Sequence, residues 1–291
     1  MAKIGSTPAE NELDLMEMVE RSLSSESRAI RHHRSFYKLA KLLFSPKVSG
    51  VSNVPSSPVL MVGNHSLFSL DVPFIQSSML TETGRFVRAM ADKVLFKNPS
   101  TKSLILNMGG VLGNPVVGSS LMEKGKDLMV FPGGSYEVNK PIQERYTLKW
   151  KDRVGFVRLA AKHGYTILPF ATVGPDEFYD RYYEGPEWFD SPFGKLLRKT
   201  GLLSEHIRQD LLVPIPKGVM GTFIPKPQKF YLGICEPLNL SEYKSQDVND
   251  DTLVEIRDVV AQRIEAKIHE LLLMRVQESS RGAWIRRQLV R

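Results

Sequence analysis

Apolar and polar positions alternate along this chain in two rhythms, one of short buried strands and one of amphipathic helices. Val59-Leu60-Met61-Val62 is an uncharged apolar run bounded by Pro58 and Gly63, and Leu128 to Phe131 and Tyr165 to Val173 repeat the pattern, the last broken only by Pro169. Runs of that length between turn residues read as strands buried on both faces. Lys229 to Cys235 reads as a further strand, and Arg85 to Met90 as a strand followed by a helix from about Ala91, with Pro99 and Ser100 marking a turn. Helical spacing governs the rest. Between Arg31 and Phe44, the side chains of Phe36, Leu39, Ala40, Leu43 and Phe44 share a face, while Arg31, Arg34, Lys38 and Lys41 largely occupy the other; Ser45-Pro46 ends the helix. Leu70 to Leu80 is helix-like, Asp152 is placed to cap a helix running to His163, and Gly164 stands just past its end. Beyond Asp250-Asp251, the positions Ile256, Val260, Ile264, Ile268 and Leu272 form a stripe that core packing explains. Strand, glycine-rich turn, basic loop, helix and strand in succession make an α/β layout.

This pattern divides the chain into a polar arm with a basic amphipathic helix (1–50), a domain (51–275) and a basic tail (276–291) that carries Arg281, Trp284, Arg286, Arg287 and Arg291. The stretch from Pro175 to Gly221 is aromatic and proline-rich, and Phe193 to Leu203 reads as a basic amphipathic helix suited to lipid contact.

Composition narrows the classes. With 291 residues, 42% hydrophobic and 24% charged, the chain can bury a sizeable core. A single cysteine, Cys235, excludes an internal disulfide and a multi-cysteine zinc site and suits a reducing compartment. Met1 to Glu20 is acidic, unlike a secretory signal. Val54 to Leu70 and Ser103 to Met122 lack Asp, Glu, Lys and Arg, but glycine, proline, Asn and Ser interrupt both, so neither reads as a membrane span. The net charge of +7 fits an anionic surface or substrate. Because the basic residues are dispersed without a recognised motif, nucleic acid is not the expected partner.

Candidate chemistry centres on Gly63-Asn64-His65-Ser66-Leu67-Phe68-Ser69-Leu70-Asp71, at the end of the first apolar run. In open α/β sheets ligands collect at strand ends. A histidine there can take a proton near neutral pH, and a carboxylate can fix its tautomer. On a continuous helix His65 and Asp71 would lie about a third of a turn apart. If Ser66 to Ser69 form an irregular turn the two can pair; if a regular helix starts at Asn64 or Ser66, His65 is simply a hydrogen-bonded residue beside a cap. A second focus is Asp127 to Glu137, an apolar run entering Pro132-Gly133-Gly134-Ser135, where successive backbone N–H groups can form an anion nest or merely a tight turn. Glu137 stands where a Gly-x-Ser-x-Gly elbow requires glycine, which disfavours a serine hydrolase built on Ser135. Glycines also crowd Gly109 to Gly113, and Gly113-Asn114 offers close backbone approach to a ligand; Ser119 in place of a lysine rules out a nucleoside-triphosphate loop. From Lys140 to Arg153, cations and aromatics mix, with Lys149 and Arg153 among them, as a grip for phosphates or as a solvated loop.

Several of these stretches together resemble the glycerolipid acyltransferase superfamily. Asn64-His65 with Asp71 is similar to its His/Asp block in the longer-spaced form of monoacylglycerol-acyltransferase-like members, and Phe131-Pro132-Gly133-Gly134 continuing to Glu137 resembles the block of the diacylglycerol acyltransferase-2-like branch. Arg153, Gly155, Phe156, Arg158 and Ala160, followed by Gly164, Leu168-Pro169 and Gly174, resemble that branch's longest signature. The resemblance covers roughly Val51 to Gly174 well.

It implies one mixed-sheet α/β domain flanked by helices, without metal or resident cofactor. Its expected activity is O-acyl transfer from an acyl thioester, acyl-CoA or acyl carrier protein, to a lipid hydroxyl at the cytoplasmic face of a membrane. In that scheme His65 is the general base, Asp71 orients it, and no protein nucleophile is required. Gly133, Gly134 and Ser135 are candidates for oxyanion or donor binding; Asn64, Gly113, Asn114, Glu137, Lys149 and Arg153 are candidates for substrate binding. Phospholipid-making members carry an arginine in a glycine-containing block between the two motifs, whereas Gly110 to Gly118 holds no basic residue. Their Phe-Pro-Glu-Gly glutamate is Gly133 here. Loss of a bidentate cation favours a neutral acceptor such as diacylglycerol, monoacylglycerol or a long-chain alcohol over lysophosphatidate, unless a cation between Lys140 and Arg153 substitutes. A non-catalytic lipid-binding protein on the same fold is the reading from another class, and retention of both His65 and Asp71 argues against it.

Overall fold

The computed structural model describes residues 12–200 and 212–279. Two helices come first, α1 (Glu12–Ser24) and α2 (Glu26–Leu43), followed by strands β1 (Lys47–Ser49) and β2 (Val59–Gly63) and helix α3 (Asp71–Thr83). Then come β3 (Arg88–Ala91), α4 (Pro99–Asn107), β4 (Val111–Leu112), α5 (Pro115–Glu123), β5 (Leu128–Val130) and the short α6 (Ser135–Val138). The remainder comprises α7 (Gly155–His163), β6 (Thr166–Val173), β7 (Asp180–Tyr183), α8 (Gly185–Asp190), α9 (Pro192–Lys199), β8 (Ile215–Lys217), β9 (Tyr231–Ile234), β10 (Leu238–Asn239) and α10 (Asp250–Ser279).

The main sheet runs in the order β1-β9-β6-β2-β5-β3-β4, with β10 also paired to β6. Strands β4, β3, β5, β2 and β6 are mutually parallel, and β9 and β10 run antiparallel to β6. The sheet is therefore mixed. Both faces are covered, which is why β2 is apolar without alternation: Leu60 and Val62 join one core with α1, α5, α7 and α10, while Val59 and Met61 join the other with α2 and α3. Pro169 survives inside a central strand because β10 pairs only with Thr166 and Ile167 and β9 only from Phe170 onward, so the missing N–H falls between the two partners.

Sequence expectations at two helix starts are corrected. Pro99 does not mark a turn but opens α4 as its first residue, behind Asn98, whose side chain caps Ser100 and Thr101; the stretch after Ala91 is a 3-10 turn capped by Asp92. Asp152 caps nothing, since α7 starts at Gly155 behind Val154, although Gly164 does end it in the left-handed conformation. Within α10 the expected stripe does pack on the core: Val260, Ile264 and Ile268 are buried, Ile256 and Leu272 lie partly buried against them, and Leu271 joins them. The chain boundaries also shift. In the described part of 1–50, Leu15, Met18 and Val19 of α1 lie in the main core and β1 is a strand of the sheet, so this segment packs into the domain. At the other end α10 passes residue 275 and Glu278 accepts from Tyr231 Oη at 3.0 Å and Lys229 Nζ at 3.2 Å. Residues 201–203 of the expected amphipathic helix and the cationic tail beyond 279 lie outside the described residues; the described part, α9, is helical with Phe193 and Leu196 exposed.

Candidate active site

The C-terminal end of β2 sets the site. At Gly63 any Cβ would fall inside the Phe170 ring, so this residue must be glycine for the strand to pass. Asn64 then leaves the sheet edge but stays pinned to β6: its Nδ2 donates to Thr172 O at 3.0 Å and its Oδ1 accepts from Thr172 N–H at 2.8 Å. With both ends of its amide used and 1% exposure, Asn64 fixes the loop instead of facing a substrate. This corrects its placement among substrate-binding candidates.

Past His65 the chain makes a 3-10 turn at Leu67–Ser69 in which Phe68 (φ 57°, ψ 15°) and Ser69 (φ 56°) adopt the left-handed conformation. That irregularity reverses the chain within one turn and brings His65 back over the first residue of α3. Nδ1 of His65 lies 3.0 and 3.1 Å from the two Asp71 carboxylate oxygens. Asp71 has no exposed surface and also accepts from Ser66 N–H at 2.9 Å, while Ser66 Oγ accepts from Asp71 N–H at 3.3 Å. A carboxylate so placed holds the Nδ1–H tautomer and leaves Nε2 with its lone pair directed outward. Nε2 meets Ser69 Oγ at 3.1 Å. The imidazole is stacked on Phe131, with ring centroids 3.8 Å apart and planes 10° from parallel.

The His65 backbone is held from below. Its N–H donates to Glu137 Oε1 at 2.9 Å and its carbonyl accepts from Lys140 Nζ at 2.6 Å; Lys140 in turn lies 3.4 Å from Asp176. Burial pushes the Glu137 carboxyl up to about 7, against the pull of Lys140 and of the His65 N–H, with Asp176 adding to the rise. Glu137 therefore belongs beneath the site, fully buried, and not among residues that reach a substrate. Its Oε2 occupies the space that a side chain at position 133 would need, which explains the glycine there.

The Pro132-Gly133-Gly134 turn lies beside the ring that stacks on His65. Gly134 (φ 51°, ψ −137°) donates its N–H to Phe131 O at 3.0 Å, so its amide is engaged within the turn. The Gly133 amide has no acceptor among the described residues. Ser135 opens α6, and Arg153 Nη1 donates to Pro132 O at 2.5 Å. Lys151 Nζ sits 3.4 Å from the Tyr136 ring centroid, with Arg153 at 5.6 Å from the same ring. Lys149 is instead ion-paired with Glu144. Gly113 and Asn114 stand at the end of β4, separated from β2 by β5 and β3, hence about 14 Å away at the usual strand spacing. Asn114 Oδ1 caps α5 by accepting from Val116 N–H at 2.8 Å, which accounts for it structurally.

Structure thus brings together His65, Asp71, Glu137 and the Pro-Gly-Gly turn, places Arg153 at its edge, and leaves Gly113, Asn114 and Lys149 apart. Sequence reasoning missed Ser69, Lys140 and Asp176. Ser69 carried a signal only as a hydroxyl near His65 whose geometry depended on an unpredicted turn. Lys140 is one cation in a run of them, and nothing local marks it as the buried one.

The family model described as Acyltransferase matches residues 45–173, the part of the mixed α/β sheet that carries the His–Asp pair at a parallel-strand end. This segment, which holds the whole His65–Asp71 turn and the Pro-Gly-Gly turn, is similar to the acyltransferase family. Among its relatives is phytyl ester synthase 1 of Arabidopsis thaliana, 34% identical over 138 residues, which cover 45% of this chain and 20% of that protein. Phytyl ester synthase 2 of the same plant is 26% identical over 234 residues, covering 75% and 33%. A Gallus gallus protein named DGAT1/2-independent enzyme synthesizing storage lipids is 25% identical over 200 residues, covering 63% and 60%. The matches to the two phytyl ester synthases thus extend over a third or less of those proteins. In fold, the chain is similar to the crystal structure of the 1-acyl-sn-glycerophosphate acyltransferase PlsC from Thermotoga maritima, with a TM-score of 0.50, 18% identity and coverage of 86% and 87%.

Proposed function

We propose that the protein transfers a fatty acyl group from an acyl thioester to the hydroxyl of a lipid alcohol, with His65 as general base and Asp71 holding its tautomer. The single observation behind this reading is the His65 imidazole, tied through Nδ1 to the buried Asp71 carboxylate, which leaves Nε2, beside Ser69 Oγ at 3.1 Å, as the nitrogen that can take a proton. Removing a hydroxyl proton makes the oxygen nucleophilic toward the thioester carbonyl. The negative charge that develops on that carbonyl needs a donor, and the Gly133 amide is the one assigned here, since that of Gly134 is engaged. The reading needs no resident cofactor.

The acceptor favoured is neutral. No cation stands between Gly110 and Gly118, and the printed names of relatives refer to phytyl esters and storage lipids. A lysophospholipid acceptor is the second reading, motivated by Arg153 and Lys151 beside the Pro-Gly-Gly turn. Incubation of the purified protein with labelled acyl-CoA and a panel of alcohols in detergent micelles tests both: label in a neutral ester supports the first, label in phosphatidate the second. His65→Ala should abolish turnover with the fold intact, and unchanged turnover in that variant would remove the base assignment.

Such substrates are held in membranes, and the proposed location is the cytoplasmic face of one. Among the described residues no helix is long and apolar enough to cross a bilayer. Residues 27–47 contain Arg28, Arg31, Arg34, Lys38, Lys41 and Lys47 without one acidic residue, and Leu39 and Leu42 of α2 are exposed. Residues 212–229 are likewise acid-free and expose Met220, Phe223 and Ile224. The two stretches adjoin, since Lys47 N–H donates to Phe230 O and Phe230 N–H to Phe44 O. Cationic residues and exposed apolar side chains in adjoining stretches suit an anionic bilayer. Binding to phosphatidylglycerol-containing vesicles that weakens with salt is expected; equal binding to neutral vesicles would count against it.

A further inference from the structure

Ionisable side chains that the His–Asp scheme does not use converge between α10 and the loops that follow α6 and β6. Near the end of α10, Arg275 Nη1 donates to Glu177 Oε2 at 2.6 Å and to Tyr146 Oη at 3.3 Å. Tyr146 Oη donates to the same Glu177 oxygen at 2.5 Å and accepts from Gly174 N–H at 3.2 Å. The Tyr146 backbone continues the series: its N–H donates to Asp176 Oδ2 at 3.1 Å, and that oxygen lies 3.4 Å from Lys140 Nζ, which donates to His65 O. We propose that Arg275, Glu177 and Tyr146 are positioning residues, a brace that runs from α10 through Asp176 and Lys140 and fixes where the His65 peptide lies.

The two ends of the brace differ in what holds them. Val260, Ile264, Ile268 and Leu271 of α10 lie in one core with Ala171 and Val173 of β6, so Arg275 projects from a body fixed to the sheet. Lys140 has no such support. Between α6 and α7 the chain is carried by turns and one short 3-10 segment, Ile142–Glu144, and Tyr146 within it has φ 65°, a left-handed conformation that tyrosine rarely adopts. Asp176 and Glu177 likewise belong to a 3-10 turn, Pro175–Glu177, just past β6. The contacts therefore clamp two irregular segments, one of which carries Lys140, against a rigid helix.

The charges balance, with Arg275 and Lys140 against Glu177 and Asp176, and the inner pair of Lys140 and Asp176 is buried. Desolvating such a pair is costly, and packed apolar residues of similar volume would hold the two loops about as stably. What the polar set supplies is direction, because each member has defined partners at defined atoms. Burial and the neighbouring Glu177 and Asp176 carboxylates push the Tyr146 phenol well up, so it stays a neutral donor near neutral pH. The inference rests on the acyl-transfer reading, in which the His65 imidazole must stand within hydrogen-bond reach of the hydroxyl it deprotonates, so that a displaced His65 peptide is read directly as lost rate.

Kinetics of the full chain test the brace. Arg275→Ala should lower kcat about tenfold with KM within about twofold, since the reacting group shifts and no substrate contact is lost. Both Arg275 contacts use one nitrogen, so a lysine ammonium can replace it, and Arg275→Lys should recover most of the rate. Tyr146→Phe, which keeps the ring and the backbone N–H, should fall between the two. On a Lys140→Met background, where the last link is gone, Arg275→Ala should cost less than about twofold in kcat. Losses that multiply independently, or an Arg275→Ala protein whose only change is a lower melting temperature, overturn the proposal. The ring nitrogen NMR resonances of His65, assigned by their absence from His65→Ala, read the brace without turnover. They should move in Arg275→Ala and return in Arg275→Lys; resonances that stay in place overturn the proposal. Absence of wild-type turnover with every acceptor, while these resonances move, removes the acyl-transfer reading and leaves the brace standing.

Discussion

Two glycine-dense stretches flank parallel strands of the sheet, Gly109 to Gly113 on either side of β4 and Pro132-Gly133-Gly134 after β5, and they do different things. Around β4 the glycines make room: a Cβ at Gly109 would overlap the Phe86 ring, one at Gly110 would come within 2.6 Å of the Ile105 side chain, and the amides of Gly110 and Gly113 donate to Ile105 O and Ala91 O at 2.8 Å. Every feature there is accounted for by packing. At Gly133 the missing Cβ is replaced by the carboxyl of Glu137, which holds the His65 backbone, and the amide is unengaged. Glycine content alone therefore does not mark a site. Convergence of buried ionisable groups on one backbone segment does.

The largest test of that contrast is Gly133→Ala against Gly113→Ala. The first should displace Glu137 and shift the His65 peptide, with a loss of about 10²-fold in kcat, as expected when a catalytic group moves by about 1 Å. Gly113→Ala, whose Cβ would meet the Ala91 carbonyl, O at 3.1 Å and C at 3.7 Å, should leave kcat within about twofold. Equal losses would show that both turns serve the chemistry.

Next in size is a pH effect on stability. Burial pushes the Glu137 carboxyl up to about 7 in the folded protein, from an ordinary value of 4.5. The folded state therefore binds more protons between those values, and its stability falls as pH rises from about 4.5 to 7, by up to ~3 kcal/mol from this group. Glu137→Gln should flatten the melting temperature across that window. A profile unchanged from the wild type would place the shifted carboxyl elsewhere.

A smaller effect separates holding from substrate contact. Glu137→Ala should lower kcat about 20-fold with KM little changed, and Glu137→Gln, which keeps an acceptor for the His65 N–H, should recover most of it. A rise in KM alone would return Glu137 to the substrate-binding group. The smallest expected change belongs to the other turn: Asn114→Ala removes an N-cap, costing about 1 kcal/mol of stability without altering KM or kcat. A changed KM would put Asn114 at the substrate.

Much of the architecture was legible in the chain. Buried strands at Val59 to Val62 and Tyr165 to Val173 and the α10 stripe follow from apolar periodicity, because a strand covered on both faces must be apolar throughout and a helix covered on one face only every third or fourth residue. Proline was read less well: the same residue that ends one helix opens another, and only the position of Asn98 as a cap decides which. The site was legible in its residue types, His65, Asp71 and the paired glycines, but not in its roles. Asn64 and Glu137 look in the sequence like groups offered to a ligand. In the fold both are turned inward, onto Thr172 and onto the His65 peptide.

By itself the amino-acid sequence determined the α/β alternation, the covered strands and the identity of a histidine and an aspartate at a strand end, since these depend on periodicity and local turn chemistry. Only the tertiary structure decided that two left-handed residues at Phe68 and Ser69 bring His65 onto Asp71, that Lys140 and Asp176 close beneath it, and that Ser69 meets Nε2. The reason is physical. Hydrogen bonds between residues as far apart as His65 and Lys140 depend on where a strand end, a four-residue helix and a loop meet, and no local pattern carries that information.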